Sequence, residues 1–389
     1  MESAGRAAAR DERFLGMALR LASRGAGRTS PNPMVGAVVV SRGRVVGRGY
    51  HSRAGAPHAE VVALRQAGAR ARGATVYVNL EPCCHFGRTP PCVDAIIAAG
   101  VKDVVASMKD PDRRVNGAGI RRLRAAGIGV RIGGLRRESS RMNERFLRFA
   151  RSGRPFVTLK AGMSLDGRIA TRGGESRWIT SARSRRLAHE LRRQHDAVLV
   201  GVNTVLADDP GLTARRATGQ NRTVAQPARV VLDARLRTPP RARLLRDAGG
   251  GPVVLVTLRG APARRRERLE KAGALVLEVP GRNGRIDLRR ALRELGRRCI
   301  SSVLIEGGSE VLGCAIDTGI GDRLVLFVAG RLLGGRAALP VIGGRGAGRL
   351  SEAVRIADMT VHRLGGDFVV RGRLLHGRRR RSARRRAEG

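Results

Sequence analysis

Between residues 57 and 92 the chain concentrates side chains that bind metals and move protons, in "PHAEVVAL" and then "NLEPCCHFGRTPPC". His58, Cys83, Cys84, His85 and Cys92 are more ligands than one small metal site needs. A catalytic zinc takes three protein ligands and keeps a fourth position for water. His58 with two thiolates meets that count. Glu60 follows His58 by two residues at the start of a helical pattern. There both side chains can face one cavity, and the helix N-terminus favours negative charge. Such a set suits hydrolytic attack on an electrophilic carbon, with the carboxylate moving protons.

The H-x-E pair followed by P-C is the arrangement of zinc-dependent base deaminases, whose glutamate is an acid/base and not a ligand. Their usual P-C-x-x-C spacing places the second thiolate at residue 86, which here is Phe86. The remaining thiol is Cys92, behind Pro90 and Pro91. A structural zinc knuckle also uses Cys and His, but it is closed by four ligands and has no need of Glu60. Cys84 could complete that set only if adjacent thiolates reached one tetrahedron, which is awkward. A bound Zn2+ lowers the pKa of water to about 7, so a nucleophile exists at neutral pH.

The elements that must hold these residues follow from periodicity. Phe14, Leu15, Ala18, Leu19 and Leu21 recur with helical spacing in a first helix. "SPNPMVGAVVV" reads as a turn entering a buried strand, and "RVVGRGYH" as its hairpin neighbour. "HAEVVALRQAGARA" is a helix, "ATVYVNL" a strand, "CVDAIIAAGV" a helix and "DVVASM" a strand; "GIRRLRAAGIGVRIG" adds one of each. Strands alternating with helices of this length form an α/β layer. The polar "LRRESSRMNERFLRFARSGRP" marks a boundary, with one domain over 1–150 and another over 155–375. The second runs from "FVTLKAGMSLDGRIA" through "ARVVLDA", "PVVLVTL", "SSVLIEGG" and "RLVLFVAG" to "DFVVRGRLL". Residues 376–389, "HGRRRRSARRRAEG", offer nothing to pack and are expected to be a disordered basic tail.

Composition limits the partners. The formal charge is +44, yet of the 76 basic residues only four are lysines, and arginine is scattered through the whole chain. Aromatic content of 3% leaves no stacking platform for a single strand, so nucleic acid is not the expected partner. Nucleotides and phosphates fit the same positive field. Five cysteines, three of them clustered, argue against a disulfide framework. No run reaches the length of a membrane span, and the N-terminus lacks a secretory apolar core, so a cytoplasmic location is expected. Lys160 stands out: in an arginine-using chain it lies within the apolar strand "FVTLKAG", where an ammonium needs a partner. Glu306, ending a distant strand, is the candidate. Asp166 in "SLDG" reads as a turn residue.

"HAE" with "EPCCHFGRTPPC" resembles the deaminase half of the bifunctional riboflavin-pathway deaminase/reductase family, in which a longer loop separates the two zinc cysteines. "SPNPMVG" and "GRGYHSRAGAPHAE" match as well. The resemblance implies His58, Cys83 and Cys92 as zinc ligands and Glu60 as proton shuttle. It makes Cys84 a bystander and puts His85 and the "GRTPP" loop beside the substrate. Asn32 is implied to hold the pyrimidine edge, and His51 to contact substrate or its phosphate. Asp112 and Arg113 depart from the family loop D-P-N-P.

"FVTLKAGMSLDGRIA", "GESRWIT", "GVNTVLADDPGLTAR" and "IEGGSEVLG" resemble the reductase half, so the likeness spans about residues 10 to 375. It implies Gly162, Trp178, Thr204, Asp208, Gly307 and Gly308 as NADPH contacts. Ser176, Arg192, Leu212, Arg215 and Glu306 become substrate contacts. From the residues themselves, Lys160 and Glu306 are expected to support opening of the ribose and hydride delivery to its C1′, the alternative being a structural ion pair. The implied fold is a cytidine-deaminase-like three-layer α/β domain followed by a dihydrofolate-reductase-like α/β domain, in a homo-oligomer. The implied activity is deamination of a diaminopyrimidinone ribosylamine phosphate, then reduction of its ribosyl group. Two other readings remain: a nucleic-acid-binding deaminase, whose binding would weaken steeply with salt, and a chain with one decayed half.

Overall fold

The computed structural model describes residues 4–87, 89–215, 225–247 and 249–376. The chain divides into two compact units, Met1–Arg154 and Pro155–Gly389.

The first unit runs α1 (Ala4–Ala22), β1 (Gly36–Ser41), β2 (Arg44–Tyr50), α2 (Ala59–Ala67), β3 (Thr75–Val78), α3 (Cys92–Ala98), β4 (Asp103–Ala106), α4 (Ala118–Ala125), β5 (Gly129–Ile132), α5 (Arg136–Met142) and α6 (Glu144–Ser152). Its five strands lie in the order β2-β1-β3-β4-β5. The β1–β2 and β1–β3 pairs are antiparallel, and β3–β4 and β4–β5 are parallel. Strand side chains alternate between faces. Val38, Val40, Tyr77 and Val105 meet Phe14, Leu15 and Ala18 of α1 on one face. Ala37, Val39, Val76, Val78 and Val104 meet α2, α3 and Leu123 of α4 on the other. The result is three layers.

Two glycines in β2 set how closely α2 approaches. A Cβ at Gly47 would stand 2.1 Å from the Ala63 carbonyl oxygen, and one at Gly49 2.1 Å from that of Ala59. Only a residue without a side chain lets the start of α2, which carries His58 and Glu60, seat against the sheet.

The segment that reads as a polar boundary carries the helices α5 and α6 of the first unit, and the division between the units falls at its end, between Arg154 and Pro155. Its sparse apolar residues suffice because Leu147 is buried against Leu80 and Met108, with Phe146 beside it.

The second unit runs β6 (Phe156–Ser164), α7 (Ala182–Arg193), β7 (Ala197–Gly201), α8 (Val202–Asp208), β8 (Ala228–Leu232), α9 (Arg243–Arg246), β9 (Val253–Leu258), α10 (Ala263–Lys271), β10 (Ala274–Val279), the short β11 (Gly281–Arg282) and β12 (Arg285–Ile286), α11 (Leu288–Arg297), β13 (Ser302–Glu306), α12 (Ser309–Asp317), β14 (Arg323–Ala329), β15 (Arg355–Leu364) and β16 (Asp367–Leu375). Nine strands form one sheet, β10-β9-β8-β7-β13-β6-β14-β16-β15. It is parallel as far as β14, and its last two pairings are antiparallel. The central strands are buried on both faces and therefore read as Val/Leu runs. α11 and α12 cover Val157, Leu159 and Ile305, while α7 covers Leu304, Val325 and Phe327 on the opposite face.

β15 escapes the sequence reading. It is an edge strand with most residues exposed, including Met359 and Val361, so no in/out alternation betrays it. Of the expected tail, His376 is fixed, its Nε2 2.6 Å from the Gly321 carbonyl oxygen. Residues 377–389 lie outside the described residues.

Candidate active sites

In the first unit, His58 occupies the N-cap position of α2, and Cys92 opens α3 and is fully buried. Cys83 lies on the loop after β3, held by a hydrogen bond from Val93 N to its carbonyl. His58 Nδ1 is 3.1 Å from Cys92 Sγ and 3.4 Å from Cys83 Sγ. The ligand atoms of the three residues lie within 4.8 Å of one another, and among the described residues no other His/Cys/Asp/Glu group is gathered this way. Cys84 turns elsewhere, its Sγ 3.7 Å from the Arg114 carbonyl oxygen.

Glu60 is in the first turn of α2 and 3% exposed, and its Oε2 is buried without a hydrogen-bond partner. Burial chiefly, then the neighbouring Cys83, pushes its carboxyl up to about 7. A hydrogen bond from Cys92 draws the Cys83 thiol down, and the same bond raises Cys92. One borderline and two soft donors match zinc's preferred ligands. Their number leaves an open position, and an orphaned carboxylate oxygen lies beside them. The residues fit a catalytic zinc.

The surroundings hold these groups in one orientation. With a metal on Nδ1 of His58, Nε2 would carry the hydrogen, and Thr89 Oγ1 lies 3.2 Å from it to accept. His51 is 2% exposed and sets its ring edge-on to His58, centroids 5.1 Å apart. Both its ring nitrogens are engaged within the protein, by Pro57 O at 3.3 Å and Asn32 Nδ2 at 3.1 Å. The loop bearing Asn32 is clamped at Met34. Asn143 accepts from Met34 N at 2.8 Å and donates to Met34 O at 3.0 Å. Asn79 donates to the same carbonyl and accepts from Gly36 N.

Glu81 gathers the loop that departs from the family sequence, taking hydrogen bonds from Asp110 N, Gly117 N and Ile120 N. Asp112 there pairs with Arg114 at 2.6 Å. His85 Nδ1 is buried without a partner, Phe86 is exposed, and Arg88 lies outside the described residues.

In the second unit Lys160 and Glu306 stand opposite each other on the parallel strands β6 and β13. Lys160 Nζ is 3.6 Å from Glu306 Oε2, and 5.6 Å from the Phe327 ring centre. The stronger partner of Glu306 is Arg192 of α7, whose Nε and Nη2 donate to its two oxygens at 2.8 and 2.7 Å. Burial alone would raise the Glu306 carboxyl. The Arg192 charge, then that of Lys160, overcomes it and brings the pKa down to about 2. Arg192 spends Nη1 on the Thr213 carbonyl, so its fork is committed to the protein.

His189 lies on α7 one turn before Arg192 and belongs to the same group. Its Nδ1 donates to Thr213 O at 3.0 Å, and burial, then the Arg192 charge, lowers its pKa. Arg215 contributes to the same lowering and is itself exposed. Leu212 is 3% exposed with its side chain in the core, so any ligand contact it makes comes from its backbone.

Gly307 and Gly308 have φ of 73° and 77° and lead into α12. No protein atom lies within 4 Å of where a Gly307 Cβ would stand, so it is this backbone conformation that demands glycine. Thr204 Oγ1 lies 3.4 Å from the corresponding point at Gly308. Gly162, on the same face of β6 as Lys160, has Thr180 against it. Ser176 Oγ donates to Asp208 Oδ1 at 2.8 Å, and Trp178 is 61% exposed with Arg185 4.5 Å from its ring centre. Open glycine backbone at a helix start and an exposed indole fit a dinucleotide at the carboxyl ends of the strands. Asp166 is a turn residue, accepting from Ser164 Oγ, Leu333 N and Gly334 N.

These two sites on these two folds define a zinc-dependent deaminase joined to an NADPH-dependent reductase. Residues 8–108 match the cytidine and deoxycytidylate deaminase zinc-binding region, and residues 155–370 match the RibD C-terminal domain. The riboflavin biosynthesis protein RibD of Aquifex aeolicus is 43% identical over 360 residues, covering 92% of this chain and 97% of that one. That of Escherichia coli is 42% identical over 372 residues, covering 92% and 98%. Among solved structures, RibD of Acinetobacter baumannii superposes with TM-score 0.86 at 38% identity, over 95% of this chain and 99% of that one. A Thermotoga maritima diaminohydroxyphosphoribosylaminopyrimidine deaminase/5-amino-6-(5-phosphoribosylamino)uracil reductase gives 0.79 at 35% identity, over 95% and 100%. The chain belongs to the RibD family of bifunctional riboflavin biosynthesis enzymes. It is a hydrolase and an oxidoreductase in one polypeptide, so the reading as a nucleic-acid-binding deaminase does not stand.

Proposed function

We propose that His58, Cys83 and Cys92 hold zinc and that Glu60 moves the protons in removing the 2-amino group of 2,5-diamino-6-(5-phosphoribosylamino)pyrimidin-4(3H)-one. The observation that carries this reading is the partnerless buried Oε2 of Glu60 beside the three ligand atoms. Zinc held there brings the pKa of a water to about 7 and so supplies the nucleophile. Glu60 takes the proton that the attacking water sheds, places it on ring N1, and later gives one to the departing ammonia. Asn32 holds the ring edge.

In the second unit, we assign the ring-opening acid to Lys160. NADPH supplies the hydride that reduces C1′. As the C1′–O4′ bond breaks, O4′ needs a proton, and the Lys160 ammonium is the donor on that face of the sheet. Glu306, with its pKa near 2, stays a carboxylate at every physiological pH. It therefore accepts hydrogen bonds and orients Lys160, and it does not donate a proton. Gly162, Trp178, Thr204, Asp208, Gly307 and Gly308 line the cofactor side. Ser176, Leu212 and Arg215 line the substrate side with Glu306, and Arg192 acts there through Glu306.

Domain limits of 1–150 and 155–375 belong to the same reading. So do a cytoplasmic location, supported by five free cysteines, and a homo-oligomer. No helix among the described residues is long and apolar enough to cross a membrane.

The proposal is tested by assaying ammonia release and NADPH oxidation separately on the diaminopyrimidine phosphate. Both are expected from one polypeptide, in that order. NADPH oxidation before any ammonia appears would contradict it. Thr89→Ala is expected to weaken zinc retention against a chelator by about 10- to 100-fold, as loss of a partner to a metal-bound histidine does, and Thr89→Ser to restore it. Equal retention in all three proteins would remove Thr89 from the site.

A further inference from the structure

The hydrogen bonds around Asn32 have a polarity that determines which ring edge the site accepts. His51 Nδ1 lies 3.3 Å from the Pro57 carbonyl oxygen. A carbonyl only accepts, so Nδ1 carries the hydrogen. In the neutral ring Nε2 is then bare and must receive a hydrogen, and Asn32 Nδ2, 3.1 Å away, supplies it. The amide is thereby fixed. Its nitrogen is spent on His51, and Oδ1, with no protein partner among the described residues, is left as an acceptor. The ring cannot easily turn over, because it is 2% exposed and set against His58. Asn32 itself stays in place because Asn143 and Asn79 grip the backbone two residues on.

We propose that His51 is a positioning residue that locks the Asn32 amide with its oxygen toward the substrate, so that the site requires an N–H beside the carbon under attack. This inference rests on the deaminase reading above and names the ring class it implies. In a 2-aminopyrimidin-4(3H)-one, the attacked C2 lies between a bare N1, which receives the proton from Glu60, and N3–H, which donates to Asn32 Oδ1. In cytosine the attacked C4 lies between a bare N3 and C5–H, which offers Oδ1 no donor. An isocytosine-type ring is therefore accepted and a cytosine-type ring refused.

The test compares deamination of the 4-oxo substrate with that of its 4-O-methyl derivative, in which N3 is bare. Wild-type enzyme is expected to favour the 4-oxo ring by at least about 10²-fold in kcat/KM, since an unpaired polar group is costly in such a site. In His51→Ala the amide is free to turn and present its NH2 group. The preference is then expected to fall below about 10-fold, with zinc still bound at one per chain. An unchanged preference in His51→Ala would overturn the proposal, as would its absence in wild type. A second readout does not depend on turnover. Nitrogen-15 NMR of histidine-labelled protein, with His51→Ala assigning the signal, is expected to show Nδ1 protonated and Nε2 bare. The opposite tautomer would overturn the inference. If neither ring is deaminated, the deaminase reading fails, and the tautomer still decides the role of His51.

Discussion

Glu60→Gln is expected to lower ammonia release by on the order of 10³-fold or more, the scale of losing a positioned acid/base. NADPH oxidation with the already deaminated substrate should be unchanged, since Glu60 belongs to the first unit and the reductase residues to the second. Zinc should stay bound, because the three ligand atoms do not include a carboxylate. Glutamine matches the shape of glutamate and places no charge in a site where the carboxyl is 3% exposed, so the fold should be kept. The comparison isolates proton transfer from metal binding. A Glu60→Gln enzyme with full zinc and normal ammonia release would leave the buried carboxylate without a function.

Lys160→Ala is expected to remove NADPH oxidation by a similar factor while leaving ammonia release intact. The geometry separates a catalytic effect from a structural one. After the substitution Glu306 still has both oxygens bonded by Arg192 at 2.8 and 2.7 Å, so no buried charge is abandoned. Arg192→Ala is the contrasting case. It leaves Glu306 with only the 3.6 Å contact to Lys160, and removing one partner of such a buried pair costs about 3–5 kcal/mol. Lys160→Ala should therefore melt close to wild type, and Arg192→Ala well below it. If Lys160→Ala oxidises NADPH normally with the deaminated substrate, its assignment as the acid fails.

What could be read from the chain depended on the distance over which each interaction acts. The side chains of the metal cluster are legible because catalytic zinc restricts ligand type and number, and His58, Cys83 and Cys92 lie within 35 residues of one another. Lys160 was conspicuous as a cation in an apolar strand, and its partner Glu306 could be guessed from the end of another. That Arg192 is the closer partner could not be, because the contact spans 114 residues and the chain is full of arginines. Asn143 shows the same limit. It lies in a stretch whose polarity suggests a boundary, yet it grips Met34 across 109 residues. Thr89 and His51 were visible as residues of family-like motifs, but their effect depends on which ring nitrogen each meets, and no sequence pattern encodes that. His189 carried one usable signal, its i,i+3 spacing to Arg192 on α7. β15 carried none, since an exposed edge strand has no buried face to impose alternation.

The central claim is that one zinc is held by His58, Cys83 and Cys92 with the adjacent Cys84 uninvolved. Zinc content per chain, measured in wild type, Cys84→Ser and Cys92→Ser, tests it most directly. One zinc per chain is expected in wild type and in Cys84→Ser, with loss from Cys92→Ser. Loss from Cys84→Ser with retention in Cys92→Ser would contradict the claim and move the metal to a different set of ligands.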